Sequence, residues 1–204
     1  MVTVDLEEAH RNSNYNRLMI ARGGSIQAYA NLEQSLCMLF CFLLQTTPQL
    51  GGIIFFKLNN ARNRNTIIID LTKKRGFTEH LQFVKDMISF IRPLDQTRNE
   101  IVHWTTSINI NTDEQGYTSQ AMLVPPNIWS MSQASKIEFY DMAIFASKCD
   151  FISRLMTMFY MHIAKVSQLA EPWPKIFLSP IVYPPPSDHP LAPTPIEPEP
   201  QPQS

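Results

Sequence analysis

The chain has 204 residues, 44% of them hydrophobic and 17% charged, with a formal net charge of −1. That length suits one domain plus a tail and is enough to bury a real core, and the near-neutral total excludes a global field that would gather a polyanion. Six glycines disfavour turn-rich all-β architectures and glycine-lined phosphate loops, and three cysteines are too few for a disulfide framework.

Residues 1–24 are polar and read as an irregular N-terminal segment ending at Gly23-Gly24. Asp5, Glu7 and Glu8 stand where an export signal would need a basic patch and an apolar run, so none is expected. Ser25 suits the N-cap of a following helix. Ile26, Tyr29, Leu32, Leu36, Leu39, Phe40 and Leu43 recur at helical spacing, while Cys37, Met38, Phe42 and Leu44 fill the other faces. This pattern predicts a helix at the centre of a bundle, running to Gln45. Cys37 and Cys41, one turn apart, read as buried thiols of a reduced, cytoplasmic protein. The longest apolar run, Leu36 to Leu44, is about half of the roughly 20 residues that a membrane span needs. Neither a span nor a membrane partner is expected. Glu33, alone among these apolar positions, faces either solvent or Arg98.

Thr47-Pro48 interrupts the pattern, and the segment from Gly51 to Phe56 reads as a short helix, although Ile-Ile-Phe-Phe also fits a buried strand. A third helix is predicted over Ala61–Arg75, with Lys73, Lys74 and Arg75 suiting its negative end and Gly76 its stop. A fourth starts at Thr78 and buries Leu81, Phe83, Val84, Met87, Ile88 and Ile91. Pro93 must kink or restart it, and Asp95 to Trp104 continues it. Thr105–Asn111 and Tyr117–Val124 alternate polar and apolar around Asp113-Glu114-Gln115-Gly116, which predicts a two-stranded hairpin closed by Pro125-Pro126. Ser132 or Ser135 can cap a long last helix running from Ile137 to Ile163. From Pro172 onward lie 12 of the 16 prolines. Residues 167–204 are therefore expected to form a largely disordered tail, serving as a linker or as a docking peptide for a proline-reading domain. The expected fold is an all-α bundle of four to five main helices with a small β-hairpin at about 105–124, covering residues 25–166.

The run from Arg98 to Trp104 concentrates chemistry. In a helix, Asn99 and His103 share a face and Arg98 borders it. Arginine stays charged and can grip two phosphate oxygens, an imidazole exchanges protons near neutrality, and an amide can orient a hydroxyl. These are the parts needed to turn a ribose 2′-hydroxyl against its neighbouring phosphate without a metal or other cofactor. His10, His80, His103, His162 and His189 are scattered and offer no paired ligand spacing for a metal cage. Between Lys57 and Arg98 nine basic residues face four acidic ones. Among them Arg92, Lys73, Lys74 and Arg75 are candidate contacts to RNA, or else the cations of solvated helix faces. Structural roles for the motif are also open. Arg98 could pair with Glu100 or Asp95, His103 could bond a carbonyl at the helix end, and Trp104 could be a core lid or a base-stacking platform.

Arg98-Asn99 followed by His103 resembles the Arg-polar-X-X-X-His signature of HEPN (higher eukaryotes and prokaryotes nucleotide-binding) domains. The frame of a motif ending a kinked helix, a short connection and a long closing helix is similar as well. The resemblance covers roughly residues 25–166, and the hairpin resembles an insertion found in some bacterial members. It implies a metal-independent endoribonuclease of a toxin–antitoxin, defence or RNA-processing system, acting as a homodimer with a composite site. Arg98 would hold the scissile phosphate, Asn99 would be the polar residue beside it, and His103 would be the acid/base group. An antitoxin or nucleotidyltransferase partner is implied as a possible companion. Other HEPN domains are non-catalytic modules that dimerise or bind RNA, a nucleotide or a protein.

Overall fold

The structure, a computed structural model, describes residues 6–58, 60–113, 116–126 and 136–193. Helix α1 spans Leu6–Leu44, α2 Pro48–Lys57, α3 Ala61–Lys74, α4 Leu81–His103, α5 Phe139–Ile163 and α6 Trp173–Ile176, with a single 3-10 turn at Thr78–His80 before α4. Strands β1 (Thr105–Asp113) and β2 (Gly116–Val124) form one antiparallel hairpin in which Thr105 faces Val124 and Asp113 faces Gly116. The fold is thus predominantly helical with a small hairpin, as the periodicities require.

The core is built along α1. Leu32, Leu36, Leu39, Phe40 and Leu43 are fully buried and meet Val84, Met87 and Ile91 of α4 and Ile152, Leu155 and Phe159 of α5. A stripe of this width on a long helix needs partners on two sides, and α4 and α5 supply them. Helix rather than strand forms at α2, where Thr47 Oγ1 accepts from the Leu50 amide at 3.3 Å and Pro48 opens the first turn, a position in which its missing N–H costs nothing. Asn60 caps α3 by accepting from the amides of Arg62 and Asn63. Helix α4 runs through Pro93 without restarting, and the Pro93 carbonyl accepts from Thr97 Oγ1 at 3.1 Å.

Three expectations are corrected. The first concerns residues 1–24: the chain is helical from Leu6, and Ser25 lies inside α1, buried, its Oγ donating to the Met142 carbonyl at 3.0 Å. Two glycines at positions 23 and 24 cost only about 1 kcal/mol each in helix propensity. Tertiary anchors offset that cost: Leu18 is buried, and Asn14 donates to the Ser119 carbonyl and hydroxyl, each at 2.7 Å. The second concerns the start of α5, where Glu138 is the N-cap in a reciprocal box with Asp141, whose carboxylate accepts from the Glu138 amide at 2.9 Å. Ser132 and Ser135 lie outside the described residues. The third concerns the tail. Through residue 193 it is packed: Phe177 is fully buried, and Trp173, Ile176, Ile181, Tyr183 and Leu191 lie against the core. Proline content disfavours helix and sheet, but it does not prevent aromatic and aliphatic side chains between the prolines from burying their area. Residues 194–204 lie outside the described residues.

Candidate functional site

The motif occupies the last two turns of α4, held to the core by Leu94 and Ile101. Beneath it lies Tyr29 of α1, 5% exposed, whose ring stacks on Phe145 of α5 at a centroid distance of 6.3 Å. The Tyr29 hydroxyl donates to Asp95, one turn before Arg98. Burial, then the bond and the charge of Asp95, push the phenol far above its ordinary range. Tyr29 is therefore a fixed donor and a platform, not a proton shuttle. Over its ring, at 5.5 Å, sits the Arg98 guanidinium, whose Nη1 donates to Asn99 Oδ1 at 3.0 Å. A cation over an aromatic face gains about 0.5–1 kcal/mol at such partly exposed sites, enough to bias its direction.

Asn99 and His103 are exposed, and among the described residues His103 makes no hydrogen bond. The carbonyls at the helix end are taken instead by Arg22 of α1. Its Nε donates to Ile101 O at 2.8 Å, and its Nη2 to Val102 O at 2.8 Å and Trp104 O at 3.1 Å. A guanidinium there neutralises the negative helix end and sets the position from which His103 projects. Asn99 and His103 share a face, as four-residue spacing dictates. Arg98 and His103, five residues apart, point about 140° apart around the helix at about 100° per residue. A cavity of about 330 Å³ beside this face is lined by Pro93, Leu94 and Thr97 of α4 and Asp141, Ile144, Phe145 and Lys148 of α5; the three motif side chains stand outside it.

Other candidates settle differently. Glu33 does not meet Arg98: its carboxylate, partly exposed, accepts from Arg64 Nη1 at 3.3 Å. Among the described residues neither Asp95 nor Glu100 pairs with Arg98, and Trp104 is partly buried against the core. Arg92 is exposed, six residues before Arg98. Lys73, Lys74 and Arg75 are exposed at the end of α3, beside the start of α4. Along α4 that places them on the order of 25 Å from Arg98 at about 1.5 Å per residue. Cys37, Cys41 and Cys149 are free and buried, and burial raises the Cys37 thiol to about 11 and the Cys149 thiol to about 12.

Sequence reasoning missed Arg22 and the role of Tyr29, while Asp95, weighed as a partner of Arg98, accepts from the Tyr29 hydroxyl instead. Tyr29 was legible only as one apolar helix position, and Arg22 fell in a segment without periodicity. A second pairing also escapes the sequence. His80 and His162 meet at a centroid distance of 5.4 Å on a cavity of about 520 Å³. His80 lies with Nδ1 3.4 Å from the Phe177 carbonyl and Nε2 3.4 Å from the Glu79 carboxylate, so both ring nitrogens already face protein groups. Among the described residues no group of three or more His, Cys, Asp or Glu side chains could hold a metal ion. No family model, curated protein or solved structure matches the chain.

Proposed function

We propose that this chain is a HEPN-like, metal-independent endoribonuclease acting as a homodimer. One observation supports the reading most. The imidazole of His103, without a hydrogen bond among the described residues, and the amide of Asn99 project from one face of α4, next to an arginine that Tyr29 and Asn99 hold in place. Because Arg98 and His103 diverge around the helix, the reading has two copies approach so that groups from both surround one phosphate. One His103 accepts the ribose 2′-hydroxyl proton while the 2′-oxygen bonds to phosphorus. Arg98 holds the phosphate oxygens where charge grows. The 5′-oxygen leaves with a proton from the second His103, giving a 2′,3′-cyclic phosphate and a 5′-hydroxyl. Arg92 would hold a flanking phosphate. In a toxin or defence setting, an antitoxin or nucleotidyltransferase partner would restrain the activity.

The test is RNA cleavage in EDTA by wild type, His103→Ala and Arg98→Ala, with folding checked by circular dichroism. Cleavage leaving cyclic phosphate ends and lost in both variants supports the assignment. Cleavage that survives both substitutions overturns it. The position of the motif outside the neighbouring cavity favours a second reading, a non-catalytic module that dimerises or binds RNA, a nucleotide or a protein partner. Wild type that binds RNA or such a partner and cuts nothing, with binding retained in His103→Ala, would select it.

A further inference from the structure

Helix α2 rests on the bundle along a narrow edge. Only Gly51 and Phe55 are buried. A Cβ on Gly51 would lie 2.4 Å from Cys41 Sγ, so the α2 backbone is seated directly on α1. Phe55 packs on Phe40 at 5.5 Å and carries the Arg64 guanidinium over its ring at 4.4 Å. The remaining large side chains point away. Leu50 is 55% exposed, Ile53 57%, Ile54 38% and Phe56 59%. At about 100° per residue these four span about 160° of the helix surface. Four large apolar groups side by side on one short helix are more than a monomer ordinarily leaves to water.

Charge indicates what covers them. From Pro48 to Arg75, Lys57, Arg62, Lys73, Lys74 and Arg75 are exposed, against one exposed acid, Asp70. Lys57 ends α2 and Arg62 follows in the first turn of α3, while Arg75 shares a cleft with Thr46 and Pro48 at the other end of α2. Cations thus border both ends of the apolar face. Two copies paired through α2 by a two-fold axis would set these like charges against each other.

We infer that α2 lies flat on an anionic lipid surface, its aliphatic and aromatic side chains among the acyl chains and the flanking cations on the headgroups. At 10 residues α2 is about 15 Å long, too short to cross a bilayer and suited to lying in its interface. Among the described residues no single helix is long and apolar enough to span a membrane. Although α1 and α2 together reach that length, they are bent by 115° at Gln45–Thr47, and Leu32, Leu36, Leu39, Phe40 and Leu43, the apolar stripe of α1 that leads into the bend, are spent in the core. The bend seats α2 against the last turns of α1, with Gly51 on Cys41 and Phe55 on Phe40, so its opposite face is the one left for the surface. The expectation of no membrane partner rested on the length of the longest apolar run, which bears on spanning and not on a helix lying in the interface. Lys73, Lys74 and Arg75, far along α4 from the motif, serve here, so the inference does not depend on ribonuclease activity.

Flotation of the full chain with vesicles of phosphatidylcholine alone, or mixed equally with phosphatidylserine, tests this. Binding is expected only to the mixed vesicles. Ile53→Gln combined with Phe56→Gln, two exposed positions that leave the core intact, should reduce it by about tenfold or more. Replacing Lys73, Lys74 and Arg75 by Gln should weaken it by about fivefold per cation at low salt. No binding by wild type overturns the inference, as does binding indifferent to Ile53→Gln/Phe56→Gln. A dimer that dissociates in that double variant, from a wild type that ignores vesicles, would instead name a second copy as the occupant and overturn it too.

Discussion

Replacing Arg22 by Ala removes the one side chain that holds three carbonyls at the end of α4. A hydrogen bond to a charged group contributes about 1.5–3 kcal/mol, but these three share one guanidinium and water can reach part of the site, so the expected loss is about 2–4 kcal/mol in total. For a domain of this size that is a large fraction of a stability on the order of 5–15 kcal/mol, without being all of it. Arg22→Lys keeps a cation near the helix end, worth about 0.3–1 kcal/mol, but loses the fork, and should recover less than half of the deficit. Urea denaturation should show the midpoint falling at unchanged slope. Hydrogen exchange should show the amides from Arg98 to Trp104 losing more protection than those of Val84 to Ile91. If Arg22→Ala stays within about 0.5 kcal/mol of wild type, the cap carries no stability and the argument that it positions His103 fails.

Further outcomes follow from the packing and from the histidines. Gly51→Ala should cost about 1–3 kcal/mol in thermal melts because its Cβ meets Cys41 Sγ at 2.4 Å, and adding Cys41→Ala should return part of the loss. Phe177→Ala should cost about 3–5 kcal/mol by urea denaturation; a change under about 1 kcal/mol would mean that the proline-rich segment does not hold to the core. Burial, then the neighbouring His80, lowers the His162 pKa against the opposing pull of Glu79, and burial lowers that of His189 against Asp188. Their folded pKa values therefore lie below the unfolded ones, the unfolded chain binds protons first, and stability that is complete above about pH 6.5 is lost as pH falls below it. Melts between pH 7.5 and 5.5 should show this decline, and His162→Gln should flatten it; a midpoint constant over that range in wild type would contradict the assignment.

Hydrophobic spacing carried most of the fold. Ala61–Lys74, the stripe from Leu81 to Ile91, the hairpin alternation and the run to Ile163 form the elements their periods predict, because each must bury one face. Periodicity was silent on Leu6–Gly24, where helix persists through contacts that Asn14, Leu18 and Arg22 make with distant segments. Composition misled in the proline-rich segment, since averaging over prolines hides single aromatic residues such as Phe177 that bury completely. For the site, the spacing of Arg98, Asn99 and His103 was legible, while Tyr29 and Arg22 could not be assigned to it from 66 to 82 residues away along the chain.

What the sequence by itself determined is what depends on near neighbours: which stretches coil or pair, which thiols are buried, and that an arginine, an amide and an imidazole share the end of one helix. Only the tertiary structure decided which way those groups face and what holds them. It paired Glu33 with Arg64, set Tyr29 beneath Arg98, gave the carbonyls of α4 to Arg22 and left four large side chains of α2 in the open. The physical reason is range. Helical periodicity is a property of residues three and four apart, whereas a cap, an ion pair or an uncovered face depends on which distant segments the buried core brings together.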